Sequence, residues 1–335
     1  VENCDNPALN GIPEYKAVQK LIEELASNPK LEGMINTSVF GLYEDNLVAA
    51  QCDADLFKIR AGTVVLAPGA TDRHLVFENN DRPGILTARG VEKLIMCHAV
   101  LPGEDTVVVT THDGGYHTAL LLNGAGANVV AVVDGRKSGS SGEFEEQVRN
   151  LAIPIYKGLT AHAVHGKKRI NRVDVGPISG GDSHQSFNCD LLVMAVGFKP
   201  QLNLLSMGRK RPKWDSQRQV LRVNDLPSGI YSTGDVHGAA GFSCLYSEGT
   251  KSGKAAALGI TAPETERTAD DIIMALPADI ESAGTHHFIC KCMDVTRAEA
   301  KASIDEGYDQ VESLKRYSSL GMGPCQGKAC HEAVA

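Results

Sequence analysis

The stretch Asp105 to Arg136, DTVVVTTHDGGYHTALLLNGAGANVVAVVDGR, decides the fold. Two β-branched runs, VVV at 107–109 and VVAVV at 129–133, enclose an apolar segment running from Ala119 to Leu122, with glycine-bearing turns on either side. Such a run predicts a buried strand, a turn, a helix, a second turn and a second buried strand ending at Asp134. That is a βαβ unit, and it implies parallel strands with the helix laid across them.

A βαβ unit binds a dinucleotide when glycines at the first turn let backbone N–H groups approach the pyrophosphate. Laid on this turn, the pattern G-x-G-x-x-G places Thr111, Asp113 and Tyr116 at the three glycine positions, with Gly114 and Gly115 between them. Asp134 stands about twenty residues on, where an acid would meet a ribose. Two readings are open. Gly114, Gly115 and Asp134 hold a nucleotide, or the unit keeps the fold without the ligand. Asp113 favours the second, because a carboxylate facing a pyrophosphate repels it.

Outward from this unit, PEYKAVQKLIEELASNP (13–29) spaces Val18, Leu21, Ile22 and Leu25 as one amphipathic helix. TSVFGLYEDNLVAAQ (37–51) reads as two strands joined by a turn at Glu44, Asp45 and Asn46. Three further strands run into glycine: VVLAPGA ends at Gly69, LLVMAVGFKP at Gly197, and IYSTGDV at Gly234 with Asp235 beside it. The last is followed by a small-residue helix. Polar composition with Pro263 and Pro277 marks a linker.

The chain has 335 residues, 42% of them hydrophobic, enough for more than one domain. Its formal charge of -8 is spread along the chain without a basic stripe, which argues against nucleic acid as a partner. No apolar run approaches the roughly 18 to 20 residues that a membrane span needs, and no secretory leader is visible at the start, so no membrane association and a cytoplasmic location are expected. The nine cysteines are odd in number, and five of them (Cys4, Cys52, Cys97, Cys189, Cys244) are scattered. This speaks against a disulfide framework.

The other four, Cys290, Cys292, Cys325 and Cys330, flank a predicted helical hairpin. The first helix carries a capping box at Thr296 and Glu299, Gly307 makes the turn, and a second helix follows. A hairpin brings its ends together, so C-x-C and C-x4-C can converge on one metal site, with Gly321, Gly323 and Gly327 letting backbone approach the sulfurs. Iron and zinc are both content with four thiolates; zinc sites more often use C-x2-C pairs, which favours iron. His286, His287 and His331 are expected at the surface, and His112 and His117 have no catalytic task.

Together, the glycine-terminated strands and the Gly234-Asp235 pair resemble the flavoproteins with two dinucleotide-binding domains. VFGLYEDNLVAA, ATDRHLVFENNDRPGILTARGVEKLI and LKRYSSLGMGPCQGK are similar to the alpha subunits of heterotetrameric sarcosine oxidase and their relatives. The resemblance implies a Rossmann-like α/β fold: residues 1–100 and 201–262 as the remainder of an FAD/NAD(P)-binding domain, 101–200 as an inserted NAD-type domain, 263–284 as a linker and 285–335 as a small helical domain. That last domain resembles the bacterioferritin-associated ferredoxin-like type, which implies a [2Fe-2S] cluster on the four thiolates. Gly69, Gly197, Gly234 and Asp235 are then nucleotide-binding positions, FAD or NAD the nucleotide, and FMN a cofactor at a subunit interface. The implied partners are a beta subunit, other subunits of a hetero-oligomer and an electron carrier. The expected role is nucleotide binding and electron relay in an amine or amino-acid oxidoreductase, with no catalytic residue of its own. Hydrogen cyanide synthase and opine or proline dehydrogenase subunits are the alternative; a non-catalytic docking scaffold is another. No principal glycine fingerprint precedes the first strands, so the chain is expected to be a fragment truncated at both ends.

Overall fold

The structure, a computed structural model, describes residues 4–137, 142–178, 185–207, 211–216, 220–223, 226–237, 241–261 and 286–334. The expected linker lies outside the described residues. The chain divides into two compact units, one built from Val1–Ala70, Lys199–Asp215 and Val220–Ile272, the other from Thr71–Phe198, Ser216–Gln219 and Ile273–Ala335.

The second unit is organised by a five-stranded sheet. Its strands lie in the order Ile85–Thr87, Leu191–Ala195, Asp105–Thr110, Asn128–Asp134, Ile155–Lys157, and every neighbouring pair is parallel. Strands buried on both faces need apolar residues at every position, and Leu191–Ala195 is buried throughout. Its even and odd residues face different layers. Leu192 and Met194 join Val107, Val109 and Val133 against Val164, Val173 and Val175 of an antiparallel sheet formed by Leu159–His165, Arg172–Pro177 and Gln185–Asn188. Leu191, Val193 and Ala195 join Val108 and Val132 against Val91, Tyr116, Ala119, Leu122 and Val148 of the helices Ala88–His98, Gly114–Gly124 and Glu143–Asn150. The βαβ reading of Asp105–Asp134 holds at both strands and the helix.

The C-terminal hairpin belongs to this same unit. Thr296 caps the helix Arg297–Asp305, accepting the Glu299 N–H at 3.3 Å, while the Glu299 carboxylate accepts the Thr296 N–H at 2.8 Å. The second helix runs Val311–Ser318 and ends on Ser319 in the left-handed region. One buried side chain ties the hairpin to the sheet. Asn80 (1% exposed) accepts the Phe288 N–H at 3.0 Å and donates to the carbonyls of Phe288 at 2.9 Å and Leu75 at 3.2 Å. An amide with one acceptor and two donors imitates a strand edge here.

The first unit holds an antiparallel meander, Ser38–Tyr43, Leu47–Cys52 and Asp55–Arg60, and a parallel pair, Val64–Leu66 beside Ile230–Ser232. Leu42, Leu66, Leu205, Ile230 and Val236 form its core. The helix Glu14–Ala26 buries Ala17 and packs Leu21 beside Leu9, whereas Val18, Ile22 and Leu25 are exposed. The four apolar positions expected on one buried face are thus divided, because 17 and 21 form the row that meets the protein.

Two outcomes follow from the packing of the second unit. Burial alone would push the Glu145 carboxyl up, but Lys157 Nζ at 2.7 Å and Arg149 at 2.7 Å outweigh it and hold the group below the usual carboxylate range. A depressed folded pKa contributes stability above the unfolded value of about 4.3, and that contribution is lost as pH falls through the folded value. Glu145→Gln is therefore expected to be less stable than wild type in urea at pH 7, with the gap closing below about pH 4; a gap that stays constant with pH contradicts the ion pairing. Asn80→Ala leaves the Phe288 amide without its partner and is expected to cost about 2 kcal/mol or more, read as faster hydrogen exchange across Phe288–Thr296.

Candidate functional site

Three constellations hold the residues that sequence reading singled out. The first is the turn between the strand Asp105–Thr110 and the helix Gly114–Gly124. Thr110 pins it: its hydroxyl donates to the His112 carbonyl at 2.6 Å and accepts the His112 N–H at 3.2 Å. The Gly114 N–H donates to His112 Nδ1 at 3.1 Å, so the imidazole carries its proton on Nε2. Burial, reinforced by the Arg136 charge, pushes His112 down to about 4. The ring is neutral. Both glycines are explained by the protein itself. A Cβ at Gly114 would lie 2.7 Å from the His112 ring, and one at Gly115 would overlap the Thr110 side chain and lie 3.1 Å from the Ala195 Cβ.

Asp134 has no exposed surface. Its Oδ2 accepts the Tyr116 hydroxyl at 2.7 Å and Arg136 Nη2 at 2.8 Å, and its Oδ1 accepts the Arg136 backbone N–H at 2.9 Å and Nε at 3.1 Å. The same guanidinium reaches Asp113 at 2.9 Å. Arg136 therefore bridges the two carboxylates of the turn. Burial, then the hydrogen bond to Asp134, pushes the Tyr116 phenol up, so Tyr116 is a donor. Gly197 sits in the left-handed region past the strand Leu191–Ala195, and its carbonyl accepts the Arg73 N–H at 2.9 Å.

The second constellation is the carboxyl end of the parallel pair in the first unit. Gly69 (φ +73°) and Gly234 (φ +83°) both adopt conformations that favour glycine. Among the described residues and apart from chain neighbours, no atom lies within 4 Å of a Cβ built on Gly69 and the nearest to one on Gly234 is 3.6 Å away, while the Gly69 carbonyl accepts the Gln201 N–H at 3.0 Å. Crevices outside the carboxyl ends of parallel strands are where nucleotides dock in such sheets. The half-buried Asp235 lies in the 3-10 turn Gly234–His237. Glu248, 3% exposed on the helix Phe242–Leu258, accepts the Gly234 N–H at 3.0 Å and fixes this turn.

The third is the thiol hairpin. Cys290 ends the strand Phe288–Cys290, and the folded hairpin brings all four thiols together. Cys292 Sγ is 3.8 Å from Cys290 Sγ and 3.6 Å from Cys325 Sγ, and the Cys330 thiol is within hydrogen-bonding reach of Cys290. Among the described residues no three or more His, Cys, Asp or Glu side chains are grouped so that they could hold one metal ion. The sulfurs adjoin in a chain rather than around one point. Gly323 is glycine because Cys292 Sγ sits against the place where its Cβ would be. Burial would raise the Cys325 thiol, but N–H groups of Ala329, Gly327 and Lys328, with the Cys292 thiol, hold it below its ordinary value. Burial and the neighbouring thiols push Cys292 up to about 11 and Cys330 up to about 12. All nine cysteines are free of disulfides.

One expectation is corrected. His287 is 6% exposed, with Nδ1 3.3 Å from Glu78, because the segment entering the hairpin packs against 78–80; His286 is exposed and His331 half-buried. His331 lies against Gly321 and Gly327, whose Cβ positions its ring would overlap. Sequence reading also missed Arg136, Glu248 and Asn80. Arg136 had a local signal, two residues beyond Asp134. Asn80 acts on a residue 208 positions away and had none.

A family model described as pyridine nucleotide-disulphide oxidoreductase matches residues 5–269, and one described as sarcosine oxidase A3 domain matches residues 284–334. The chain is 27% identical to the alpha subunit of sarcosine oxidase from Rhizobium meliloti (strain 1021) over 345 residues, covering 97% of this chain and 34% of the relative. It therefore spans about a third of the length of that relative. An opine oxidase subunit from Agrobacterium tumefaciens (strain Ach5) is 22% identical over 86% of this chain and 66% of its own length. The crystal structure of L-proline dehydrogenase from P. horikoshii superposes with a TM-score of 0.64 at 22% identity, covering 94% of this chain and 62% of that one. These matches bear out the resemblance read from the strand and hairpin motifs. With the glycine-terminated parallel strands of the first unit and the βαβ sheet of the second, they place the chain in the pyridine nucleotide-disulphide oxidoreductase family.

Proposed function

We propose that the chain is the nucleotide-binding and electron-relay part of an amine or amino-acid oxidoreductase of the sarcosine oxidase alpha type. The observation that carries this reading is the contiguous set of four thiols, Cys330–Cys290–Cys292–Cys325, on a hairpin docked to a nucleotide-type fold. The sulfurs form one chain of contacts, Cys330–Cys290–Cys292–Cys325, and so supply the four thiolates that a two-iron cluster would need. The donor set fits in two further respects. Gly323 leaves room for the Cys292 sulfur, and the amides of Gly327, Lys328 and Ala329 point at Cys325, where they stabilise a thiolate.

Cys290, Cys292, Cys325 and Cys330 would thus hold a [2Fe-2S] cluster, and Gly69, Gly234 and Asp235 would meet a flavin dinucleotide in the first unit. When bound, a flavin supplies two-electron oxidation of a C–H bond and an iron–sulfur cluster supplies one-electron transfer. The chain's own contribution is positional. Asn80 holds the first thiol strand, the Gly-rich loop donates N–H groups to sulfur, and Glu248 sets the Gly234 turn. No residue here is assigned to proton transfer from an amine; His112 is neutral and bonded to its own helix. The substrate site would lie on a partner subunit of a hetero-oligomer, with a further flavin at the subunit interface. The opine oxidase and proline dehydrogenase likenesses share the same fold and leave the amine, and the choice between oxygen and a carrier as acceptor, to experiment.

Two outcomes test this reading. Protein produced with iron and kept from oxygen is expected to be brown, with about two irons per chain, and Cys292→Ser or Cys325→Ser is expected to bleach it. Stoichiometric zinc with a colourless protein would sink the iron assignment. The chain alone, supplied with FAD and an artificial acceptor, is expected not to oxidise sarcosine or other secondary amines, because none of its described residues holds substrate against a flavin ring. Turnover at an enzymatic rate would disprove the division of labour.

A further inference from the structure

The family implies a nucleotide for a βαβ turn such as Thr110–Tyr116, and the residues there do not fit one. A pyrophosphate at such a turn is held by free amides at the helix start. Here five of the six amides from Thr111 to Tyr116 are taken by partners within the protein. The Thr111 N–H donates to the Ala195 carbonyl at 3.1 Å, His112 to Thr110 Oγ1 at 3.2 Å, Gly114 to His112 Nδ1 at 3.1 Å, Gly115 to the His112 carbonyl at 3.1 Å and Tyr116 to the Asp113 carbonyl at 3.0 Å. The ribose acid is taken as well. Both oxygens of Asp134 accept from Arg136, and Oδ2 also accepts the Tyr116 hydroxyl. The fingerprint positions carry Thr111, Asp113 and Tyr116, and the two glycines between them make room for the protein itself, Thr110 over Gly115 and the His112 ring over Gly114.

We infer that this turn is closed by the chain's own side chains and takes neither NAD nor NADP, so that the second unit serves as a fixed support for the thiol hairpin. Arg136 is the positioning residue of the closure, since it bridges Asp113 and Asp134. A nucleotide would have to displace the guanidinium from a carboxylate with no exposed surface, leaving that charge buried with a phenol and one backbone N–H but no cation. The inference goes beyond the relay reading. It is settled by nucleotide contact at one turn, whereas the relay reading is settled by iron at another.

Hydrogen–deuterium exchange on the whole chain, with and without NAD+ or NADP+ at about 1 mM, a level that fills most of any site of micromolar affinity, reads the turn directly. The expected result is unchanged exchange across Thr111–His117 and Asp134–Arg136 with either nucleotide. Arg136→Gln is expected to lower the melting temperature by several degrees, since it removes the charge partner of Asp134. Protection of these segments in the wild type would overturn the inference. If that protection came from NADP+ and vanished in Arg136→Gln, the arginine would be a phosphate ligand instead. An unchanged melting temperature in the variant would equally overturn the role given to Arg136.

Discussion

The second unit depends on one buried charge. Asp134 ends an inner strand of the parallel sheet with no exposed surface, and an unpaired carboxylate in that position would cost several kcal/mol. Arg136 and Tyr116 are the answer to it, one from the loop just beyond the strand and one from the helix that crosses the sheet. Their placement has consequences in both directions. Tyr116 must lie at the helix start with its ring among Ala119, Leu122 and Val132, which sets the helix on the sheet. Arg136 must turn back over the strand, which brings Asp113 to its other side and closes the turn.

The hairpin is attached on a different principle. Its core of Ile289, Val295, Ala300 and Leu320 is small, too small to fix orientation by burial alone. Hydrogen bonds supply the direction. Asn80 and Asn79 present a ready-made edge to the backbone of 286–288, the Asn79 N–H meeting the His286 carbonyl at 2.8 Å, and Glu78 accepts the His286 N–H at 3.2 Å. The result is that Cys290 leaves this edge in one orientation, from which the other three thiols follow through the loop glycines.

A division of roles emerges between the units. In the first, Gly69 and Gly234 stand at the carboxyl ends of adjacent parallel strands, with no described side chain packed against their α-carbons. In the second, the equivalent elements are turned inward, with the amides of the turn and the carboxylate of Asp134 answered by neighbours. A few side chains at one turn thus decide whether a βαβ unit keeps its amides and end-of-strand acid free or answers them itself, which is why fold alone does not assign function.

Much was legible in the sequence, for reasons that are local. Continuous β-branched runs announce strands buried on both faces, so Asp105–Asp134 could be read as a βαβ unit; the Thr296–Glu299 box announces a helix start because both partners lie within one turn. The pairing of C-x-C with C-x4-C followed from the hairpin between them. What sequence could not decide is whether Gly114, Gly115 and Asp134 face a ligand or the protein, since a glycine required by Thr110 and one required by a phosphate are the same letter. Nor could it show that His287 is buried or that Asn80 holds Phe288, because both contacts join segments about two hundred residues apart. Composition and periodicity determine which backbone elements form, as these depend on neighbours a few residues away. The tertiary structure alone decides which polar groups are already satisfied, and so whether a site is open, as that depends on partners the chain meets only after folding.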